Sequence, residues 1–163
     1  MATASKTAQK PAKAAKSAAK KVAPQGTCVR PYLTFNGNCE AAFKAYQKVF
    51  GGEFCCIMRF KDHPPAEGKL DPKIRNKIKH MGLAAGSFVL LGSDACPNQP
   101  VTVGDNVSLS VTASDAAEAK RVFKALAAKG KVHVPLAATA WAKLFGVATD
   151  RFGICWSVIF IDD

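Results

Sequence analysis

A strand-like run, a capped helical run and three further strand-like runs occur in order, and then the same order occurs again. In the first pass "VRPYLTF" reads as a strand, "NGN" breaks it, and Asn38 is placed to cap a helix. "CEAAFKAYQKVF" sets Ala42, Phe43, Tyr46, Val49 and Phe50 at helical spacing, and Gly51-Gly52 stops it. "EFCCIMRF" is a second strand. A loop with Pro64-Pro65, Gly68 and Pro72 follows, then "IKHMGLAAG" and "SFVLLGSD" as a hairpin around Gly86. In the second pass "NVSLSVTA" is a strand, and Asp115 caps a helix with Glu118 completing a capping-box pattern. Ala119, Val122, Phe123 and Leu126 share one face of that helix, and Gly130 ends it. "KVHVPL", "KLFGVATD" and "ICWSVIF" supply three more strands. Tyr46 and Phe123 hold similar places 77 residues apart. A βαβββ unit used twice, over about 28–94 and 105–163, predicts an α+β fold. Two modules then curl a mixed sheet around a shared cavity, with a helix on the other face of each half.

Residues 1–27 read differently. The first 25 are low-complexity Ala, Lys, Ser and Pro, with no large apolar side chain between Met1 and Val22. Such a segment buries too little surface to offset its ordering entropy, so a disordered basic tail is expected. Its six lysines leave +5 of the formal +11 charge for the remainder. Lys10, Lys13, Lys16 and Lys20, with Lys21 beside them, would form a stripe on a transient helix. Three roles fit: a solubilising arm, a weak nucleic-acid-binding arm, or a mitochondrial targeting segment. Deleting residues 1–25 is expected to leave the melting temperature nearly unchanged, as calorimetry would show. If the tail holds nucleic acid, the full chain should bind duplex with a log–log salt slope of up to roughly −5.

Six cysteines are present and none forms a C-x-x-C pair or a zinc-type Cys/His spacing. They read as reduced thiols of an intracellular, cytoplasmic protein, with a disulfide framework as the alternative, and mitochondrial or nuclear placement through the tail as another. Cys55 and Cys56, neighbours on a strand, are expected on opposite faces. No apolar run is long enough to span a bilayer, so no membrane partner is expected.

Three segments, "YLTFNGNCEAAFKAYQKVFGGEF", "KHMGLAAGSFVLLGSDACP" and "WAKLFGVATDRFGICW", together with the paired modules, resemble the vicinal oxygen chelate superfamily. The resemblance is to its PhnB-like, glyoxalase-like branch and covers about residues 30–160. Metal-dependent members of that superfamily bind a divalent ion in the sheet cavity through His and Glu on the first and last strands of each module. Here those places fall near Pro31, Leu91, Asn106 and Ser157. Pro31 and Leu91 have no ligating atom on their side chains, and neutral Asn and Ser oxygens bind transition metals weakly. The resemblance therefore implies the fold, while the residues imply no metal and no organic cofactor. The branch often has a carboxylate or amide and then Thr-Phe-Trp before the last hairpin; this chain has Ala137-Ala138-Thr139-Ala140-Trp141.

The remaining PhnB-like features supply the candidate site. His80 reads either as a general base or as a hydrogen-bonded structural histidine. Asp94 and Asp150 stand at strand ends, where carboxylates accept backbone N–H groups, with catalysis as the alternative. Trp141, Phe145 and Trp156 are candidates to stack on a planar ligand, or else core. If Trp156 faces the cavity, Cys155 packs outward under a helix. Three functions follow: a metal-free small-molecule-binding module, a glyoxalase-type lyase or isomerase using His80, and an accessory scaffold with a nucleic-acid-binding tail. Related folds pair two chains, so a homodimer is expected.

Overall fold

The helical spacing of Ala42, Phe43, Tyr46 and Val49 becomes α1 (Cys39–Phe50), whose buried stripe also includes Cys39. In the computed structural model, which describes residues 27–64 and 69–161, α1 follows β1 (Tyr32–Phe35) and precedes β2 (Glu53–Arg59). A single 3-10 turn at Phe60–Asp62 leads toward β3 (Ile78–Ala85) and β4 (Phe88–Asp94). The second module is β5 (Leu109–Thr112), α2 (Ala116–Ala127), β6 (Lys131–Ala137), β7 (Leu144–Thr149) and β8 (Cys155–Phe160). The strand orders are β1-β4-β3-β2 and β5-β8-β7-β6, so the two modules are drawn alike. In each sheet the first strand joins the last in parallel and the other pairs are antiparallel. This is the expected twofold α+β fold, built as two four-stranded mixed sheets. The five lysines of the expected stripe, Lys10, Lys13, Lys16, Lys20 and Lys21, lie outside the described residues.

One face of each sheet is covered by helices. Gly92 of β4 faces α1: a Cβ there would stand 2.6 Å from the Phe43 ring and 2.8 Å from the Leu33 carbonyl oxygen. Gly146 of β7 receives the Phe123 ring of α2 in the same way. Leu83 and Leu90 pair across β3 and β4 on this face, and Val158 of β8 pairs with Gly146. These residues share one core with Phe35, Phe43, Tyr46, Val122 and Trp156. The core is therefore continuous between modules, because α1 packs on its own sheet and also on Trp156 of the other. Glu40 ties α1 to β2 through Arg59 at 2.9 Å. Arg59 and then Lys44 hold its carboxyl down at about 2, so this tie is present above the usual carboxylate range and is lost as pH falls toward 2.

Four local readings change. Asn38 stands at the N-cap but its side chain makes no capping bond; the Asp94 carboxylate accepts from Cys39 N at 2.8 Å instead. Asp115 does accept from Glu118 N at 2.8 Å, while Glu118 accepts from Ser114 rather than from the cap residue. Gly130 does not end α2: the helix stops at Ala127 and Lys129 takes the left-handed φ of 61°. Gly130 is needed because a Cβ there would meet the Thr149 carbonyl of β7. Finally, Cys55 and Cys56 do not point to opposite faces. The register slips between Phe54 and Cys56, and both sulfurs come to lie over Gly82.

Candidate functional site

Asp150 lies between β7 and β8, 6 % exposed. Its carboxylate accepts from Phe152 N at 2.8 Å and Ile154 N at 3.1 Å, which closes the turn. It also accepts from the Tyr46 hydroxyl at 2.7 Å and from Trp156 Nε1 at 2.9 Å. Tyr46 belongs to α1, so one buried carboxylate ties the first module to the second. Burial, and then the negative charge of Asp150, push the Tyr46 phenol far above its ordinary range. The neutral phenol is the donor, so its contribution is full below the ordinary tyrosine range and is lost progressively as pH rises from there toward the raised value. Alkaline titration followed by phenolate absorbance should show a Tyr46 phase that appears only with unfolding and vanishes in Tyr46→Phe. Asp94 does the matching work in the first module. It accepts from Cys39 N and from Ile78 N, both at 2.8 Å. Both aspartates thus have their oxygens engaged by protein donors, as strand-end acceptors do.

The other face of each sheet is open. Tyr32 pairs with Leu91, and both alternate with the core residues Leu33 and Leu90. His80 sits on this face with its Nδ1 3.2 Å from the Tyr32 hydroxyl, the rings stacked 5.7 Å apart. Met58 stands opposite His80 on β2. In the second sheet Phe145 pairs with Ile159 on the open face, and Trp141, 58 % exposed, leans on Phe145 with ring centroids 4.9 Å apart. Trp156 is not with them. It is 3 % exposed and packs beneath α1 against Tyr46 and Phe50, so Cys155 is the residue on the open face. The structure thus joins Trp141 to Phe145, His80 to Tyr32, and Trp156 to Asp150, as three separate groups. Sequence reasoning missed Tyr32 and Tyr46. Alternation along "YLTF" carries a signal for Tyr32, whereas nothing local marks Tyr46 as the partner of a residue 104 positions on.

The register also refines the places a divalent ion would occupy. Pro31 precedes β1, and the open-face residue beside Leu91 is Tyr32. Asn106 lies before β5, and the residue paired with Ser157 is Ser110. The four positions are then Tyr32, Leu91, Ser110 and Ser157. An aliphatic side chain, two neutral hydroxyls and a phenol do not make a site for a catalytic divalent ion. Among the described residues no three His, Cys, Asp or Glu side chains gather to hold one elsewhere. Between the modules lies a half-open cavity of about 360 Å³, lined by Pro31, Phe50, Phe88, Leu90, Val111 and Trp156. It is largely apolar, with Ser87 and Ser110 among its polar lining.

The family model described as 3-demethylubiquinone-9 3-methyltransferase matches residues 27–159. The chain belongs to this family. Protein YjdN of Escherichia coli is a relative, 31% identical over 137 residues that make up 78% of this chain and 91% of its own. Protein PA1353 of Pseudomonas aeruginosa is similar in structure, with a TM-score of 0.76 and 40% identity over 85% of this chain and all of the other. A PhnB protein of Bacillus cereus described with the same methyltransferase name has a TM-score of 0.67 and 24% identity, over 82% of this chain and 99% of its own. The family is therefore the PhnB-like one that the three segments resemble. A glyoxalase, bleomycin-resistance and dioxygenase type domain of Frankia sp. shares the fold, with a TM-score of 0.54 and 11% identity over 85% of this chain and all of the other. No helix among the described residues is long and apolar enough to cross a membrane.

Proposed function

We propose that this chain is a small-molecule-binding or accessory module that holds its ligand against the open sheet faces or in the cleft between modules, without a metal ion. The observation that carries this reading is the pairing of exposed aromatic surface with a ligand-poor set of strand positions. Trp141, tilted 55° against Phe145, offers an exposed indole face of the kind that stacks on planar groups. His80 and Tyr32 offer a hydrogen-bonding pair on the first sheet. Tyr32, Leu91, Ser110 and Ser157 offer contact and neutral hydrogen bonds, but no charge to bind a divalent cation. The family description names a methyl transfer; since one fold hosts many chemistries, that activity stays with the family and is not carried to this chain. Native mass spectrometry of gently purified protein tests the reading. A discrete mass excess is expected, lost in Trp141→Ala and kept in Trp141→Phe. A chain with no bound species, whose ligand screens are indifferent to Trp141 and His80, would sink it.

The same reading includes a homodimer. Tyr32, Met58, Val134 and Trp141 are all exposed on strands or the loop bordering them, and apolar surface of this extent is what a second copy covers. Analytical ultracentrifugation at micromolar concentration should give twice the 17.3 kDa chain mass. A constant 17.3 kDa across the concentration range would contradict pairing.

A further inference from the structure

Cys55 and Cys56 form a feature that neither the fold nor the ligand platform uses. On a regular strand two consecutive side chains diverge to opposite faces. Here β2 passes from the pair Phe54–Leu83 to the pair Cys56–Gly82, so Cys55 is an extra residue on β2. That bulge turns both side chains the same way. Measured from the point a Cβ of Gly82 would occupy, the Cys55 sulfur is at 2.5 Å and the Cys56 sulfur at 3.1 Å. The next atom there is Leu91 Cδ2, which fixes the face as the open one. Glycine at position 82 is what leaves room for two sulfurs side by side. Cys55 is exposed and Cys56 half-buried, so a small reagent can reach the pair, and both are free thiols.

We propose that Cys55 and Cys56 form a dithiol chelate for a trivalent arsenical, or a similar thiophilic centre carrying two replaceable oxygen ligands. The geometry requires adjacent sulfurs that converge, which the bulge supplies. The chemistry suits thiols that begin protonated. Burial, and then the neighbouring Cys55 sulfur, push the Cys56 thiol above its ordinary range. A divalent cation must displace such protons into solvent, and that weakens its binding at neutral pH. An arsonous acid takes them itself. Two As–S bonds form and two As–O bonds break. The thiol protons leave with the two oxygens as two waters, and arsenic stays trivalent throughout. The chelate needs neither His80 nor the Trp141–Phe145 platform, so it stands apart from the small-molecule reading above.

The test uses the reduced full-length chain and phenylarsine oxide, which condenses as its hydrate. The protein is loaded with one equivalent, washed with excess glutathione and weighed intact. A single-thiol adduct exchanges away under that wash, whereas a two-sulfur chelate is held by both bonds. One phenylarsenic group per chain is expected in the wild type and in Cys28→Ser, Cys96→Ser and Cys155→Ser. It should be absent from Cys55→Ser and Cys56→Ser, and it should leave on adding a dithiol. Peptide mapping of the wild-type adduct should place arsenic across Cys55 and Cys56, which keeps the test independent of whether any variant folds. No adduct surviving glutathione in the wild type, or one bridging another cysteine pair, would overturn the proposal.

Discussion

Asp150→Ala should lower the unfolding free energy by about 3–5 kcal/mol, the cost of leaving several buried donors without their acceptor. The size follows from what is left behind. The Tyr46 hydroxyl, Trp156 Nε1 and two turn amides all donate to this carboxylate. Each donor stranded away from water costs about 1–3 kcal/mol, and relaxation of the turn offsets part of the total. Tyr46→Phe removes one donor and no acceptor, so its loss should be the smaller, about 1.5–3 kcal/mol for a bond to a charged group. Asp150→Asn keeps an acceptor and should fall between wild type and alanine. Because Tyr46 is in the first module and Asp150 in the second, the alanine variant should also loosen the coupling of the two. Urea denaturation followed by tryptophan fluorescence and by circular dichroism reads both effects, the second as transitions that separate. A loss below about 1 kcal/mol would mean that the buried carboxylate is not the tie between modules.

Gly92→Ala is the second large effect. A methyl group at this position meets the Phe43 ring edge at 2.6 Å and a backbone oxygen of β1 at 2.8 Å. The ring is fully buried and the strand is held in register on both sides, so neither neighbour yields cheaply. Overpacking of this kind costs about 1–3 kcal/mol, and the backbone contact argues for the upper half of that range. Gly51→Ala is the natural comparison. No atom lies within 4 Å of its added Cβ, and only the φ of 72° resists the change. With ψ at −153° Gly51 lies in a region that glycine alone adopts readily, and the penalty is about 1–3 kcal/mol. A Gly92→Ala loss below about 1 kcal/mol would refute the packing argument.

How much of this was readable beforehand depends on whether the deciding interaction was local. Helix α1 came out with its full extent because five apolar residues repeat at helical spacing and two glycines close it. Asp94 and Asp150 were readable as backbone acceptors for the same reason, since a strand-end carboxylate beside a turn finds amides nearby. The failures each involve a choice that alternation leaves open. "CW" at 155–156 says that one residue faces inward; only the packing of Tyr46 and Phe50 on the indole decides that it is Trp156. "FCCI" reads as regular strand, and one extra residue in the ladder undoes the parity on which that reading rests. "NVSLSVTA" reads as strand from Asn106 onward, whereas β5 opens only at Leu109, so the expected ligand position at Asn106 gives way to Ser110. The candidate site was therefore legible as a set of residues and not as a geometry. His80, Trp141, Phe145 and Trp156 all exist where the elements were expected, yet they belong to three groups on two faces.

Elemental analysis of protein purified without a histidine tag bears most directly on metal-free binding by the open faces. Tyr32, Leu91, Ser110 and Ser157 occupy the places that would need imidazole or carboxylate, and His80 alone makes a weak and unselective site. Far less than one equivalent of Zn, Ni, Mn or Fe per chain is expected, with no glyoxalase activity gained when those metals are added. One tightly held equivalent that disappears in His80→Ala would contradict this and put a glyoxalase-type reaction at His80 in its place.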